Sequence, residues 1–257
     1  ADNFFQFVIE FYERRVKRIL PSLIFYVLVM SILVCFFSYE PQTSLRTGIS
    51  SLFGLSNIYL FVRSTDYFSF SANLNPFTNT WSLGVEEQFY FIFPFFIWFS
   101  GYLKNKKVAI INLKIFLGIS ILMSGLFFIN QYPINQSSAY FLLHNRFWEI
   151  AFGSFLFLQI KKDIRMFNFF RNTLPFLVLM LIILVMFQPL STGLSSTFIT
   201  VFLTGALIFL LKKDSLLNKI LSNKKVVKIG KLSYSLYLWH WGILSISYLT
   251  IGIHWWS

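Results

Sequence analysis

Apolar residues fall in eight runs separated by short polar or basic stretches, at about 20–37, 47–62, 82–103, 108–129, 140–160, 174–190, 194–211 and 232–253. Most of these runs approach the length that carries a helix across a hydrocarbon core of ~30 Å. A helix satisfies its own backbone hydrogen bonds there, which an isolated strand cannot. The run 47–62 differs, being less apolar and interrupted by Gly48, Gly54, Ser56 and Asn57. Residues 63–80 are polar, with turns marked by Asn73, Asn75, Pro76 and Asn79. Residues 1–19 mix aromatic side chains with Arg14, Arg15, Lys17 and Arg18, and Pro21 opens the first span. The pattern predicts an all-α, polytopic transmembrane helical bundle of about seven spans plus one re-entrant or interfacial segment. With no repeat and no low-complexity linker, residues 1–257 read as a single transmembrane domain.

Composition sharpens this. The chain is 56% hydrophobic and 21% aromatic, with only 12% charged residues, against roughly 25% in soluble domains. A soluble domain is excluded. The single cysteine, Cys35, lies in an apolar run, which excludes a disulfide framework or a thiolate metal site. The first apolar run is long enough to span, so it does not read as a cleaved leader. The chain starts at Ala1 and ends on Trp255-Trp256-Ser257, close behind an apolar run, and is expected to be a piece of a longer protein at both ends.

A formal charge of +12 could suggest a nucleic-acid partner, but topology accounts for it. Cytoplasmic loops are enriched in Lys and Arg. If every run crosses, Lys104, Lys106 and Lys107 fall outside. If 47–62 does not cross, nineteen of the 22 Lys and Arg residues lie inside, and only Arg46, Arg63 and Arg146 lie at the outer face. This asymmetry predicts a multi-pass protein of a cytoplasmic membrane with a cytoplasmic N-terminus. Membrane lipid is then a partner, and nucleic acid is not.

Four stretches carry candidate chemistry. Arg14, Arg15 and Arg18 lie within one helical turn and offer closely spaced guanidinium forks, which bind phosphate bidentately. The plainer reading is a topology anchor on anionic lipid. Ser82, Glu86 and Tyr90 recur every fourth residue, placing hydroxyl, carboxyl and phenol on one helix face behind Trp81, an interfacial anchor. A carboxylate in a span is costly and marks a site unless paired. Glu86 reads as functional, whereas Glu87 reads equally as an interfacial acid at a helix N-terminus. Arg146 and Glu149, three residues apart, either neutralise each other or contact a substrate, and His144 reads as interfacial. Ser233, Tyr237, His240 and Trp241 are expected to share a face, with a mid-membrane His240 as a candidate site residue. Metal-ligand spacing, a glycine-rich phosphate loop and a nucleophile elbow are all missing from the sequence.

These stretches resemble the membrane-bound acyltransferase 3 family, whose bacterial members O-acylate cell-surface polysaccharides, the lipopolysaccharide O-antigen acetylases among them. The resemblance rests on Phe11-Tyr12-x-Arg14-Arg15-x-x-Arg18-Ile19-x-Pro21 and Trp81-Ser82-Leu83-x-Val85-Glu86-x-Gln88-Phe89-Tyr90. Further along, it rests on Arg146-x-x-Glu149-x-x-x-Gly153 and Gly230-Lys231-x-Ser233-Tyr234-Ser235-Leu236-Tyr237-Leu238-Trp239-His240. It implies transfer of an acyl group, commonly acetyl from cytoplasmic acetyl-CoA, to a hydroxyl of a surface or lipid-linked glycan. Acyl-CoA is then a donor substrate rather than a resident cofactor, and no metal is implied. Arg14, Arg15 and Arg18 would meet the CoA phosphates. Glu86 and His240 would serve catalysis, and Trp81, Ser82, Tyr90, Arg146, Glu149, Ser233 and Tyr237 would line the substrate route. In the family a preceding helix carries a basic residue and a histidine taken as the base, so residues 1–257 alone are expected to be inactive.

By physics alone, polar residues inside a bundle also suit a transporter of lipid-linked sugars. That reading lacks support from an internal repeat or paired broken helices. A lipid-binding scaffold leaves Glu86, Arg146, Glu149 and His240 unaccounted for. Topology is open to direct measurement. With Cys35 replaced, a cysteine at Lys107 should resist a membrane-impermeant thiol reagent applied to intact cells, and labelling there would reverse the assignment.

Overall fold

The structure is a computed structural model and describes residues 4–63, 74–101, 106–159, 173–188, 193–211 and 215–252. Among these residues every regular element is a helix. In chain order they are α1 (Phe4–Phe37), α2 (Pro41–Leu52), α3 (Ser56–Val62), α4 (Thr80–Phe99), α5 (Lys106–Gln131) and α6 (Gln136–Phe141). There follow α7 (Leu143–Gln159), α8 (Thr173–Met186), α9 (Gly193–Leu210), α10 (Leu216–Leu221) and α11 (Lys224–Thr250). The expected all-α bundle is present. On length and hydropathy, α1, α5 and α9 can each cross a membrane. They expose rows of large apolar side chains such as Phe25, Leu28, Ile32 and Phe36 on α1, and Ile111, Ile115, Ile119 and Leu122 on α5. Such surfaces suit lipid, and the chain is a multi-pass membrane protein.

Helix α1 departs from expectation. Pro21 does not begin a new span but sits inside one helix of 34 residues. An interior proline removes a hydrogen bond and disfavours the helix, so other contacts must hold the N-terminal half straight. They come from α4, which runs antiparallel to α1. Phe4 stacks on Trp98, and the Tyr12 hydroxyl donates to the Phe91 carbonyl at 3.0 Å. Further along, Tyr26 meets Phe77 edge-on and donates to the Pro76 carbonyl.

Helix α11 packs parallel to α1. The Tyr234 hydroxyl reaches the Ile19 carbonyl at 3.3 Å, and Trp239 packs edge-on to Tyr26. Gly242 makes this contact possible: a Cβ there would lie 2.6 Å from Met30 and 2.8 Å from Tyr26. Leu23, Tyr26, Val27, Met30, Phe77, Leu83 and Leu238 form the resulting core. A second core, of Phe89, Leu113, Leu117, Phe147 and Ala151, joins α4, α5 and α7. Helix α9 is held on α7 by Phe198 stacked over Trp148 at 4.4 Å, and by Gly205 beneath Phe152 and Leu156.

The segment expected not to cross is broken, as its glycines suggest. Helices α2 and α3 have 12 and 7 residues, giving lengths of about 18 and 10 Å, too short to span. Between them Gly54 takes φ +66°, and the Glu87 carboxylate occupies the place of its missing Cβ. A broken backbone at membrane depth needs partners for its freed polar groups. A buried polar seam supplies them. The Asn57 amide donates to the Phe141 carbonyl at 2.9 Å, and Gln88 donates to Asn57 Oδ1 at 2.8 Å and to the Gly54 carbonyl at 3.0 Å. Ser51 and Thr80 share a hydroxyl–hydroxyl bond of 2.6 Å, and Ser56 donates to the Thr80 carbonyl at 2.8 Å. Gly84 lets α4 approach, since a Cβ there would stand 2.7 Å from Asn57 Oδ1. Replacing Asn57 by Leu keeps the volume but strands these partners, and should lower the unfolding free energy by about 2 kcal/mol. Thermal unfolding in detergent checks this, and an unchanged midpoint would mean that the seam does not hold the segment.

Candidate functional site

The antiparallel crossing of α1 and α4 brings the first two sequence motifs together. Phe11, Arg14, Arg15, Arg18 and Ile19 from α1, with Leu83, Glu86 and Tyr90 from α4 and Tyr234 from α11, line a cavity of about 310 Å³. The arginines, read above as a topology anchor or a phosphate site, thus share one cavity with Glu86 and Tyr90. Because α1 is continuous through Pro21, its arginines reach along α4 as far as Glu86 and Tyr90.

Within this cavity the Arg15 guanidinium lies over the Tyr90 ring and 4.8 Å from the Phe11 ring centre. A planar cation held on aromatic faces keeps its N–H edges available. Arg14 makes only a loose bridge to Glu10 at 3.7 Å, in an exposed i, i+4 arrangement, which contributes little. Among the described residues, no ion pair joins Glu86 to an arginine. The lining therefore carries three cations against one carboxylate, an electrostatic setting for a polyanion. A larger, mainly apolar cavity of about 570 Å³ adjoins it, lined by Val16, Leu20, Phe53, Gly54, Leu55, Glu87 and Ile92 among others, and shares Arg15, Ile19 and Tyr90 with the first.

The other expected site residues divide into three groups. Ser82 and Tyr237 are brought together, but as a latch. Their hydroxyls lie 2.6 Å apart, Tyr237 donates to the Asn79 carbonyl at 2.6 Å, and the Asn79 amide donates to the Tyr237 carbonyl at 2.8 Å. Trp81 packs edge-on to Phe141 and stands 5.4 Å from the Arg146 guanidinium. Arg146 is ion-paired with Glu149 and also faces Tyr140 and Phe128 at 4.8 and 5.6 Å.

Ser233 and His240 line neither cavity and are exposed. The face expected to unite them with Tyr237 and Trp241 is divided. Leu238, Gly242 and Ser245 define the buried side of α11, Trp241 turns inward to donate to the Asn75 carbonyl at 3.1 Å, and His240 bonds the carbonyl of its own Leu236 at 3.1 Å. His240 lies about 9 Å beyond Tyr234 along the axis, from six residues of helical rise. Glu86 and His240 are thus not in one cavity among the described residues. Sequence reading named Asn57 only as an interruption of its run and missed the hydrogen-bonding roles of Asn57, Thr80 and Gln88. Ser51 one turn from Thr47, both facing a polar break, was the available signal.

The described residues thus form a multi-span helical membrane protein in which three arginines and one carboxylate line a single cavity. Residues 4–257 match the family described as an acyltransferase domain, and the chain belongs to the acyltransferase 3 family. It is similar to the O-acetyltransferase OatA of Staphylococcus aureus (strain NCTC 8325 / PS 47), with 32% identity over 92% of this chain and 41% of that protein. The putative peptidoglycan O-acetyltransferase YrhL of Bacillus subtilis is 28% identical over 93% of this chain and 39% of its own length. The peptidoglycan O-acetyltransferase OatA of Listeria monocytogenes is 28% identical over 93% and 40%. The chain thus spans about 40% of the length of these relatives. No solved structure matches.

The latch between α4 and α11 has its own test. Ser82→Ala and Tyr237→Phe should each destabilise the bundle, and the double variant should show a coupling of about 1 kcal/mol between them. Additive effects in denaturation would mean that the two hydroxyls act independently.

Proposed function

We propose that the whole protein is a membrane O-acyltransferase moving an acetyl group from acyl-CoA to a hydroxyl of a cell-wall glycan of the peptidoglycan type. The observation that carries this reading is the convergence of Arg14, Arg15 and Arg18 with Glu86 and Tyr90 on one cavity. The names of the relatives favour peptidoglycan over the O-antigen or a lipid-linked sugar as acceptor. The N-terminal end of α1 and the basic loops are assigned to the cytoplasm, and the protein to the bacterial cytoplasmic membrane.

In this reading the guanidinium forks hold the CoA phosphates, and the Tyr90 ring fixes the plane of Arg15. The acceptor hydroxyl oxygen attacks the thioester carbon while a general base takes its proton. The carbon–sulfur bond breaks, the proton returns to the departing sulfur, and CoA leaves as the thiol beside a new ester. Glu86 supplies the negative charge that steadies the base once protonated, as an orienting carboxylate does beside an imidazole. Exclusion of water from the thioester by the apolar walls prevents hydrolysis. His240 belongs to the outward continuation of the route along α11 rather than to the donor cavity.

Two variants of the full-length protein test the two halves of the reading. Arg15→Lys keeps the charge but removes the fork, and should weaken CoA binding about tenfold, a difference of ~1.4 kcal/mol. Glu86→Gln should insert normally and bind CoA, yet lose most acetyl transfer. CoA binding unaffected in Arg15→Lys would return the cluster to a topology signal. Full activity in Glu86→Gln would reduce that residue to a structural one. A purified protein that moves glycan without consuming acyl-CoA would restore the transporter reading.

A further inference from the structure

A third cavity, of about 390 Å³, opens at the end of the bundle that carries the start of α4. Tyr140, Arg146, Glu149, Gln188, Gly193, Ser196, Thr197 and Thr200 contribute to its wall. The volume falls within the range of small-molecule sites, roughly 300–1,000 Å³. Its chemistry is the opposite of the arginine cavity. Arg146 and Glu149 cancel in charge, so an ion gains no net attraction. What remains is a set of neutral and paired donors and acceptors beside an aromatic ring, with Val185, Met186 and Val201 supplying apolar wall.

Three features argue for a ligand rather than for a purely structural ion pair. Glu149 uses one carboxylate oxygen for Arg146, while the other accepts no hydrogen bond from the described residues and the side chain lines the cavity. Ser196 and Thr200, one turn apart, put two hydroxyls on the same face of α9 where it borders the space. Gly193 lets two tyrosines pack against the start of α9 at the edge of the space, because a Cβ there would collide with the Tyr132 hydroxyl and lie 3.2 Å from that of Tyr140. Among the described residues the Thr197 hydroxyl bonds the Gly193 carbonyl at 2.7 Å, whereas that of Thr200 makes no such bond and borders the space.

We propose that this cavity binds a neutral sugar unit, a hexose or N-acetylhexosamine, of the acceptor glycan. Ring hydroxyls donate to Glu149 and accept from Arg146, the α9 hydroxyls serve the far edge, and the Tyr140 ring offers an apolar face. The proposal rests on the acyltransferase reading and places acceptor recognition apart from the donor cavity. Trp81, packed between Phe141 and Arg146, lies five residues from Glu86, about 7.5 Å along α4. A glycan held at Arg146 thus extends toward the transfer route rather than filling it.

The test uses full-length protein in detergent, with chitotriose as neutral probe, a glucuronate oligomer as anionic probe, and CoA binding followed in the same samples. Chitotriose should bind saturably and the glucuronate should not compete. The Ser196→Ala, Thr200→Val double variant should bind chitotriose at least fivefold more weakly with unchanged thermal unfolding. Glu149→Gln should lose the neutral sugar and gain the glucuronate through the unneutralised Arg146, a reversal that simple misfolding does not produce. Chitotriose binding that is absent from wild type, or unchanged in the double variant, overturns the inference while normal CoA binding leaves the donor reading intact. Preference for glucuronate in wild type also overturns it. Absence of both chitotriose and CoA binding from wild type overturns the donor reading as well.

Discussion

Hydrogen bonding at the broken segment is the constraint from which the rest of the molecule follows. Lipid offers no partners to a backbone that leaves the helix, so α2 and α3 persist only where side chains take over the task. Asn57, Gln88, Thr80, Ser51 and Ser56 do this within a small volume, and all but Gln88 are almost completely buried. Because Gln88 and Thr80 belong to α4, satisfying the break also fixes the depth and rotation of α4. Gln88 turned toward Asn57 leaves Glu86 and Tyr90 for the neighbouring face, where α1 brings its arginines.

The arginine cavity and the cavity at Arg146 differ in chemistry. One combines three cations with a single carboxylate and is walled by aromatic rings. The other balances its charges and surrounds them with hydroxyls. Under the proposed function, these two settings correspond to a donor with a polyphosphate handle and an uncharged glycan acceptor. The first is lined by α1, α4 and α11 and the other by α6 to α9 and the residues beside them, so the two are built from separate elements.

Much of the fold was legible in hydropathy, because a bilayer permits few alternatives. The apolar runs locate α4, α5, α8 and α9 within a few residues. Where reading went astray, a polar residue or a tertiary contact decided the outcome. Asn135 caps α6 through Ser138, and the chain then breaks at Leu142, so the run at 140–160 holds the end of one helix and another whole. Asn223 caps α11 through Lys225, starting that helix well before its apolar residues. Pro21 reads as a boundary until α4 is present to support the first half of α1. At the candidate site the residue types were legible, but their partners were not. Spacing put Ser82 on the Glu86 face without revealing that Tyr237 consumes its hydroxyl, and it could not say which side of α11 would turn outward with His240.

Gly242 gives this arrangement a mechanical character. With no Cβ it allows Met30 and Tyr26 to touch the backbone of α11, so that helix and α1 meet at a fulcrum one hydrogen atom wide. Even a methyl group there must push the two helices apart. Tyr237, little more than a turn away, is tied to Asn79 and Ser82 by short bonds, so the push would be delivered to the first turn of α4. The position of Glu86, and with it the shape of the arginine cavity, is thereby geared to the smallest side chain on the last helix.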